Sequence, residues 1–166
     1  MEHGVANGPA LLAALEHSGL GDVLRSSLWL YPAVETLHIL GFALLVGGMA
    51  VLDGRIVTAP RRFDPEPWLA PCLSVARIGF ALAVPMGFLL FAAEATAYVR
   101  NPVFLAKVGL ILLALANIAW MHAGPLRRYR ALGRSTGVLP ELRTTAAVSL
   151  ALWVLVLACG RLIAYV

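Results

Sequence analysis

The sequence predicts an all-α integral membrane protein, an up-down four-helix bundle preceded by a short amphipathic helix at the membrane interface. Three observations carry that expectation. Of 166 residues, 60% are hydrophobic and only 13% are charged, where soluble domains run at roughly 45–50% and 25%; the mean hydropathy is +0.83. Apolar runs near the length of about 20 residues that crosses a bilayer recur along the chain, parted by short polar loops. The formal charge is +4 and the pI about 9.6, but the basic residues flank apolar runs, so they read as a topology signal rather than a nucleic-acid footprint. Nucleic-acid binding, a secreted disulfide scaffold and a disordered tail are excluded on these grounds.

Each element follows from local chemistry. Residues 1–27 form an interfacial segment. Within it, residues 9–25 are amphipathic and broken by Gly19 and Gly21, with Pro9 suited to a helix start. The N-terminus has no Lys or Arg before its first apolar run, which speaks against a cleaved signal peptide. Residues 28–166 form the membrane domain. Span one covers about 28–52, opened by the interfacial aromatics Trp29 and Tyr31 and closed by Asp53-Gly54-Arg55. Span two covers about 71–99; Pro85 predicts a kink and a freed carbonyl near residue 81. After the turn Arg100-Asn101-Pro102, span three covers about 103–123, a basic loop follows, and span four covers about 144–165. Arg55, Arg61 and Arg62 in loop one, with Arg127, Arg128, Arg130, Arg134 and Arg143 in loop three, place those loops in the cytoplasm and both termini outside. Cys72 and Cys159 then lie near opposite faces, too far apart for a disulfide.

Ionisable groups inside a membrane cost about 2.5–3.5 kcal/mol each and are functional candidates by default. Helix rise sorts them into two layers. The outer layer holds Glu35, His38, Glu94, Lys107 and Arg161. Glu35 and His38 share a face three residues apart, and two acids with two fixed cations can pair there, leaving His38 to titrate or to ligate. The inner layer holds Asp53, Arg55, Arg77 and His122, with Asp53–Arg77 as the expected ion pair.

A neutral imidazole suits iron, copper or zinc. The small residues after His38 (Gly41, Gly47 and Gly48) would admit a flat macrocycle, and Lys107 and Arg161 stand where the carboxylates of a haem would want cations. By helix rise His122 differs in depth from His38 by about 13 Å, so the two do not clasp one iron. The sixth ligand of such a haem is then Lys107, Met86, a group from a partner chain, or none. Copper is the other metal reading, through His38, Met49, Met86, Met121 and Cys159, which are scattered.

The segment from Thr36 to Val57, TLHILGFALLVGGMAVLDGRIV, resembles the first helix of HemJ-type protoporphyrinogen oxidases. There a Leu-His pair opens the helix, small residues follow and an Arg closes it. The segment from Asn101 to His122 looks like that family's lysine-bearing helix. Both also resemble the CopD-type copper-resistance membrane domain, and a group of small bacterial four-helix membrane proteins looks similar overall. The resemblance covers about a third of the chain. It implies His38 as the axial ligand of haem b, Lys107 as its functional partner and the bacterial inner membrane as the location. Leu44, Leu45 and Val46 stand where the oxidases carry Trp and bulky aromatics, so the resemblance carries haem binding further than it carries a porphyrinogen substrate.

Three functions compete. One is a haem b protein that transfers electrons to a redox partner or oxidises a membrane-soluble substrate, with His38 and Lys107 as catalytic residues and Lys107, Arg161, Met86 and Glu35 around the cofactor. The second is a copper-handling or small-solute transporter, and the third a cofactor-free assembly subunit. Gly41, Gly47, Gly48, Gly79 and Gly87 are placed to pack either against a second copy, as a homo-oligomer, or inside one bundle.

Overall fold

The computed structural model describes residues 10–60, 63–132 and 137–165. Arg61, Arg62 and Arg134 lie outside the described residues. Those described are helical with no strand among them: α1 (Ala10–Glu16), α2 (Gly19–Ser26), α3 (Leu30–Thr58), α4 (Glu66–Ala93), α5 (Ala95–Arg100), α6 (Pro102–Ala123), α7 (Pro125–Leu132) and α8 (Pro140–Leu162), ending in a 3₁₀ turn, Ile163–Tyr165. Four helices are long and apolar enough to cross a membrane: α3, α4, α6 continued through α7, and α8.

Register shows the up-down course. Gly41 of α3 lies on Gly79 and Ala83 of α4, and Gly48 on Cys72 and Ala76, so these helices are antiparallel. Asn117 of α6 reaches Thr145 of α8 while Lys107 lies against Gly160, again antiparallel. Met49 packs with Trp153 and Val57 meets Arg143, which runs α8 antiparallel to α3. The α3–α4 seam is a small-residue crossing. A Cβ on Gly79 would overlap the backbone of Leu45 and Gly41, and one on Gly41 would come within 2.6 Å of the Ala83 nitrogen. Gly41, Gly48, Gly79 and Gly87 therefore serve packing inside this chain, whereas a Cβ on Gly47 would meet nothing within 4 Å.

The bundle is not closed. α3 packs on α4 and α8, and α6 on α8, whereas α4 and α6 meet mainly at one end, where Phe91 stacks on Phe104 at 5.7 Å between ring centres. The helices run α4–α3–α8–α6 around an arc whose fourth side is a cleft.

Both ends are tied down, and several boundaries differ from expectation. α4 starts at Glu66 rather than near residue 71 and ends at Ala93, with Glu94 parting it from α5 where one span was expected to run to 99. α3 does not stop at Asp53-Gly54-Arg55. Leu52, Asp53 and Ile56 are fully buried, and burying them carries the helix on to Thr58. The residue 9–25 segment is two helices rather than one, divided at Ser18, whose hydroxyl caps α2. Leu24 seats this segment against Val34 and Ala93, Arg25 donates to the Ala93 carbonyl at 2.7 Å, and Glu16 accepts from the Thr96 amide and hydroxyl at 3.1 and 2.6 Å. Those two bonds hold the Glu16 carboxyl below the usual carboxylate range. Loop three contains α7, which buries Leu126 and Tyr129 in the inner core with Leu52, Ile56 and Leu142. Arg143 donates to the Val57 and Ala59 carbonyls at 3.2 and 2.6 Å, satisfying the orphan C-terminal acceptors of α3. Arg130 pairs with Glu66 at 2.5 Å.

Candidate functional site

His38 sits half-buried where α3 meets α4, two turns out from Leu45 on one helix face. Its Nδ1 lies 2.8 Å from the Ala83 carbonyl oxygen, and its ring covers Gly87, where a Cβ would come within 2.8 Å of Cε1. A carbonyl only accepts, so Nδ1 carries the proton and Nε2 is left as a lone-pair base. No hydrogen-bond partner of Nε2 is found among the described residues. α4 runs as one helix through Pro85, and the carbonyl that finds a side-chain donor in this turn is Ala83's rather than that of residue 81. The glycine at 87 is what makes room: any larger residue would push the imidazole off its carbonyl.

Lys107 of α6 lies on the same side. Its ammonium is 5.9 Å from the centre of the Phe42 ring, one turn below His38, and 3.4 Å from where a Cβ of Gly160 would stand. It is half-buried and forms no ion pair among the described residues. His38, Phe42 and Lys107 thus share one neighbourhood drawn from α3 and α6.

The other outer-layer residues do not join it. Arg161 is exposed; its guanidinium donates to the Tyr165 hydroxyl at 2.6 Å and stacks on that ring. Glu35 and Glu94 are exposed and form no ion pair with Lys107 or Arg161. Met86 packs in the outer core with Leu24 and Val34. The sulfurs are dispersed: Met49 faces Trp153, Met121 lies in the inner core and Cys159 is beside Lys107. Both cysteines are free. No group of three metal-ligating side chains occurs among the described residues.

The open side between α4 and α6 holds a cleft of about 450 Å³, lined by Arg77, Phe80, Leu115, Ile118, His122 and Trp153 among others. That volume falls in the range of about 300–1,000 Å³ typical of small-molecule sites. Its walls are apolar, with a guanidinium and an imidazole at the inner end. His122 keeps Nδ1 2.9 Å from the Ile118 carbonyl of its own helix. His38 and Lys107 lie on the faces that continue these walls outward. His38 is seven residues from Leu45, and Lys107 eleven from Ile118; both spacings return to the same side of a helix. His122 lies level with Arg77 and His38 level with residues 83–87, a separation of roughly 9–15 Å along α4, in accord with the depth difference read from the sequence.

The expected Asp53–Arg77 pair does not form. Asp53 is fully buried on the α8 side of α3 with both carboxyl oxygens unpartnered among the described residues, while Arg77 is exposed on the cleft. Asp53 sits on the core face of α3 with Met49 and Ile56, and Arg77 follows the buried Ala76 onto the open face of α4. The cleft itself was foreshadowed only by the i, i+3, i+7 row Leu115, Ile118, His122, which marks a helix face but not what lies opposite.

Compared with known protein families, curated proteins and solved structures, the chain matches none.

Proposed function

We propose that this chain is a haem b-binding inner-membrane protein that transfers electrons or oxidises a membrane-soluble substrate, with His38 Nε2 as the axial ligand. One observation carries the reading. An intramembrane imidazole has one nitrogen fixed to a backbone carbonyl and the other unpartnered, the arrangement that sets ring orientation and basicity in metal-bound histidines. The donor set fits a macrocycle better than a bare ion, because only one strong ligand is present and no cluster of three accompanies it among the described residues. Gly41 and Gly48 are filled by α4, so the room for a macrocycle is on the open α4–α6 side and not along the α3 glycines.

Bound there, haem supplies one-electron redox chemistry. The chain's own residues do the rest. Ala83 holds the His38 tautomer, Phe42 and the cleft walls exclude water, and Lys107 places a positive charge beside the imidazole, suited to a carboxylate. A lipid-soluble substrate reaches this region sideways, through the gap that α4 and α6 leave. The arginine bias of the inner loops orients both termini outward, and the resemblance of the His38 and Lys107 helices to the HemJ and CopD groups supports a bacterial inner membrane.

The test is an absorption spectrum of the detergent-purified chain, oxidised and reduced, with and without haem supplied during expression. A Soret band with roughly one haem per chain is the expected result, weakened in Lys107→Met. A protein that stays colourless after supplementation, with or without bound copper, overturns the proposal.

A further inference from the structure

Away from His38, four side-chain atoms among the described residues lie buried without partners: both carboxyl oxygens of Asp53, the hydroxyl of Ser149 and the indole nitrogen of Trp153. Their residues are 0%, 1% and 1% exposed. Ser149 and Trp153 are four apart and so share one face of α8. That face meets α3, where Asp53 and Met49 are also four apart and Met49 packs on Trp153. The Ser149 hydroxyl lies beside the carboxyl without completing a hydrogen bond to it.

Leaving a buried polar atom unsatisfied is destabilising, more so when it is charged, and an isolated buried carboxylate is costlier still. Four such atoms within about one helix turn along the α3–α8 seam call for an occupant. The described residues of the surrounding elements offer Asp53 no counter-ion. Cys72 is the titratable group facing it from α4. α8 presents Ser149 and Trp153. On α6, Asn117 is committed to the Thr145 carbonyl at 3.0 Å. Arg143 caps the end of α3, and Arg77 and His122 stand on the cleft beyond Trp153.

We propose that Asp53, Ser149 and Trp153 form a buried proton-binding site, in which the Asp53 carboxyl carries a proton and shares one water molecule with the hydroxyl and the indole. The donor inventory selects this occupant over a cation. The Trp153 N–H only donates, so it contributes nothing to cation coordination, whereas a water accepts from it while donating to the carboxyl and hydroxyl oxygens. A proton on Asp53 removes the uncompensated charge. Trp153 also lines the α4–α6 cleft, which puts the site one side chain away from it. The site binds and releases its proton at membrane depth, beside the cleft that a membrane-soluble molecule would occupy. It requires no haem and stands or falls independently of His38.

Infrared spectroscopy of the full-length protein in detergent, in H₂O and D₂O at neutral pH, tests this. The wild type should show the carbonyl stretch of a protonated carboxylic acid, with a deuterium shift. Asp53→Asn should lose that band while melting within a few degrees of wild type, since the amide has the shape of the neutral acid. Ser149→Ala and Trp153→Phe should keep the band and move its frequency; they decide the matter if Asp53→Asn does not fold. Absence of any protonated-acid band overturns the proposal. So does a band indifferent to both neighbouring substitutions, or wild-type melting that rises with sodium or potassium and ceases to do so in Asp53→Asn, which marks a cation site.

Discussion

The two sides of α4 are built on opposite plans. Toward α3, glycines bring backbone against backbone, so that a Cβ at Gly79 has no room. Toward α6 the contact is sparse, a Phe91–Phe104 stack at one end and an apolar-walled cleft beyond it. The sealed side fixes the Ala83 carbonyl and Gly87 against His38, whose second ring nitrogen finds no hydrogen-bond partner among the described residues. Glycines thus serve as the scaffold, and chemistry, where it occurs, belongs to the sparsely packed face.

The largest effect should come from breaking the seal. Gly79→Leu forces backbone apart, beyond the 1–3 kcal/mol or so typical of overpacking; size-exclusion profiles in detergent should show loss of the folded monodisperse species. Gly47→Ala, which meets nothing, should melt as wild type. Next in size is the inner end of the same scaffold. Arg143→Ala strands the Val57 and Ala59 carbonyls and should lower stability by about 1–3 kcal/mol, read as a drop in melting temperature.

A smaller effect is expected at the outer end. The Thr96 hydrogen bonds depress the folded-state pKa of Glu16 below its ordinary value of 4.5. Their contribution is therefore present above that pH and fades as pH falls through the depressed value. Melting curves of wild type and Glu16→Gln should differ modestly at neutral pH and converge in acid. The smallest effect belongs to the open side. Ala119→Phe projects into the cleft and should change stability by no more than about 0.5 kcal/mol. A large loss there would mean that the open side is packed after all.

Much of the architecture was legible because membrane burial imposes length and hydropathy on each span, so α3, α4, α6 and α8 appear in the sequence within a few residues of their observed cores. Their ends were less so. Asp53-Gly54-Arg55 looks like a terminus, yet helix continues through it because Leu52 and Ile56 bury against distant residues of α7 and α8. Likewise α7 hides in a run of arginines, since few of its side chains, Leu126 and Tyr129 foremost, reach the core. At the candidate site, His38 and Lys107 were legible as intramembrane polar residues. Their relation was not, because which helices touch depends on packing that no single span records. For the same reason Arg161 turned to Tyr165, and Asp53 to the Ser149 side of the core, instead of to the charges nearest in depth.

The decisive experiment compares the two histidines of the membrane-spanning helices, His38 and His122, in haem-supplemented, detergent-purified protein. His38→Ala should remain folded and lose the Soret band, and His122→Ala should keep both fold and band. Equal loss in both variants, or a band that survives His38→Ala, would mean that His38 is not the axial ligand.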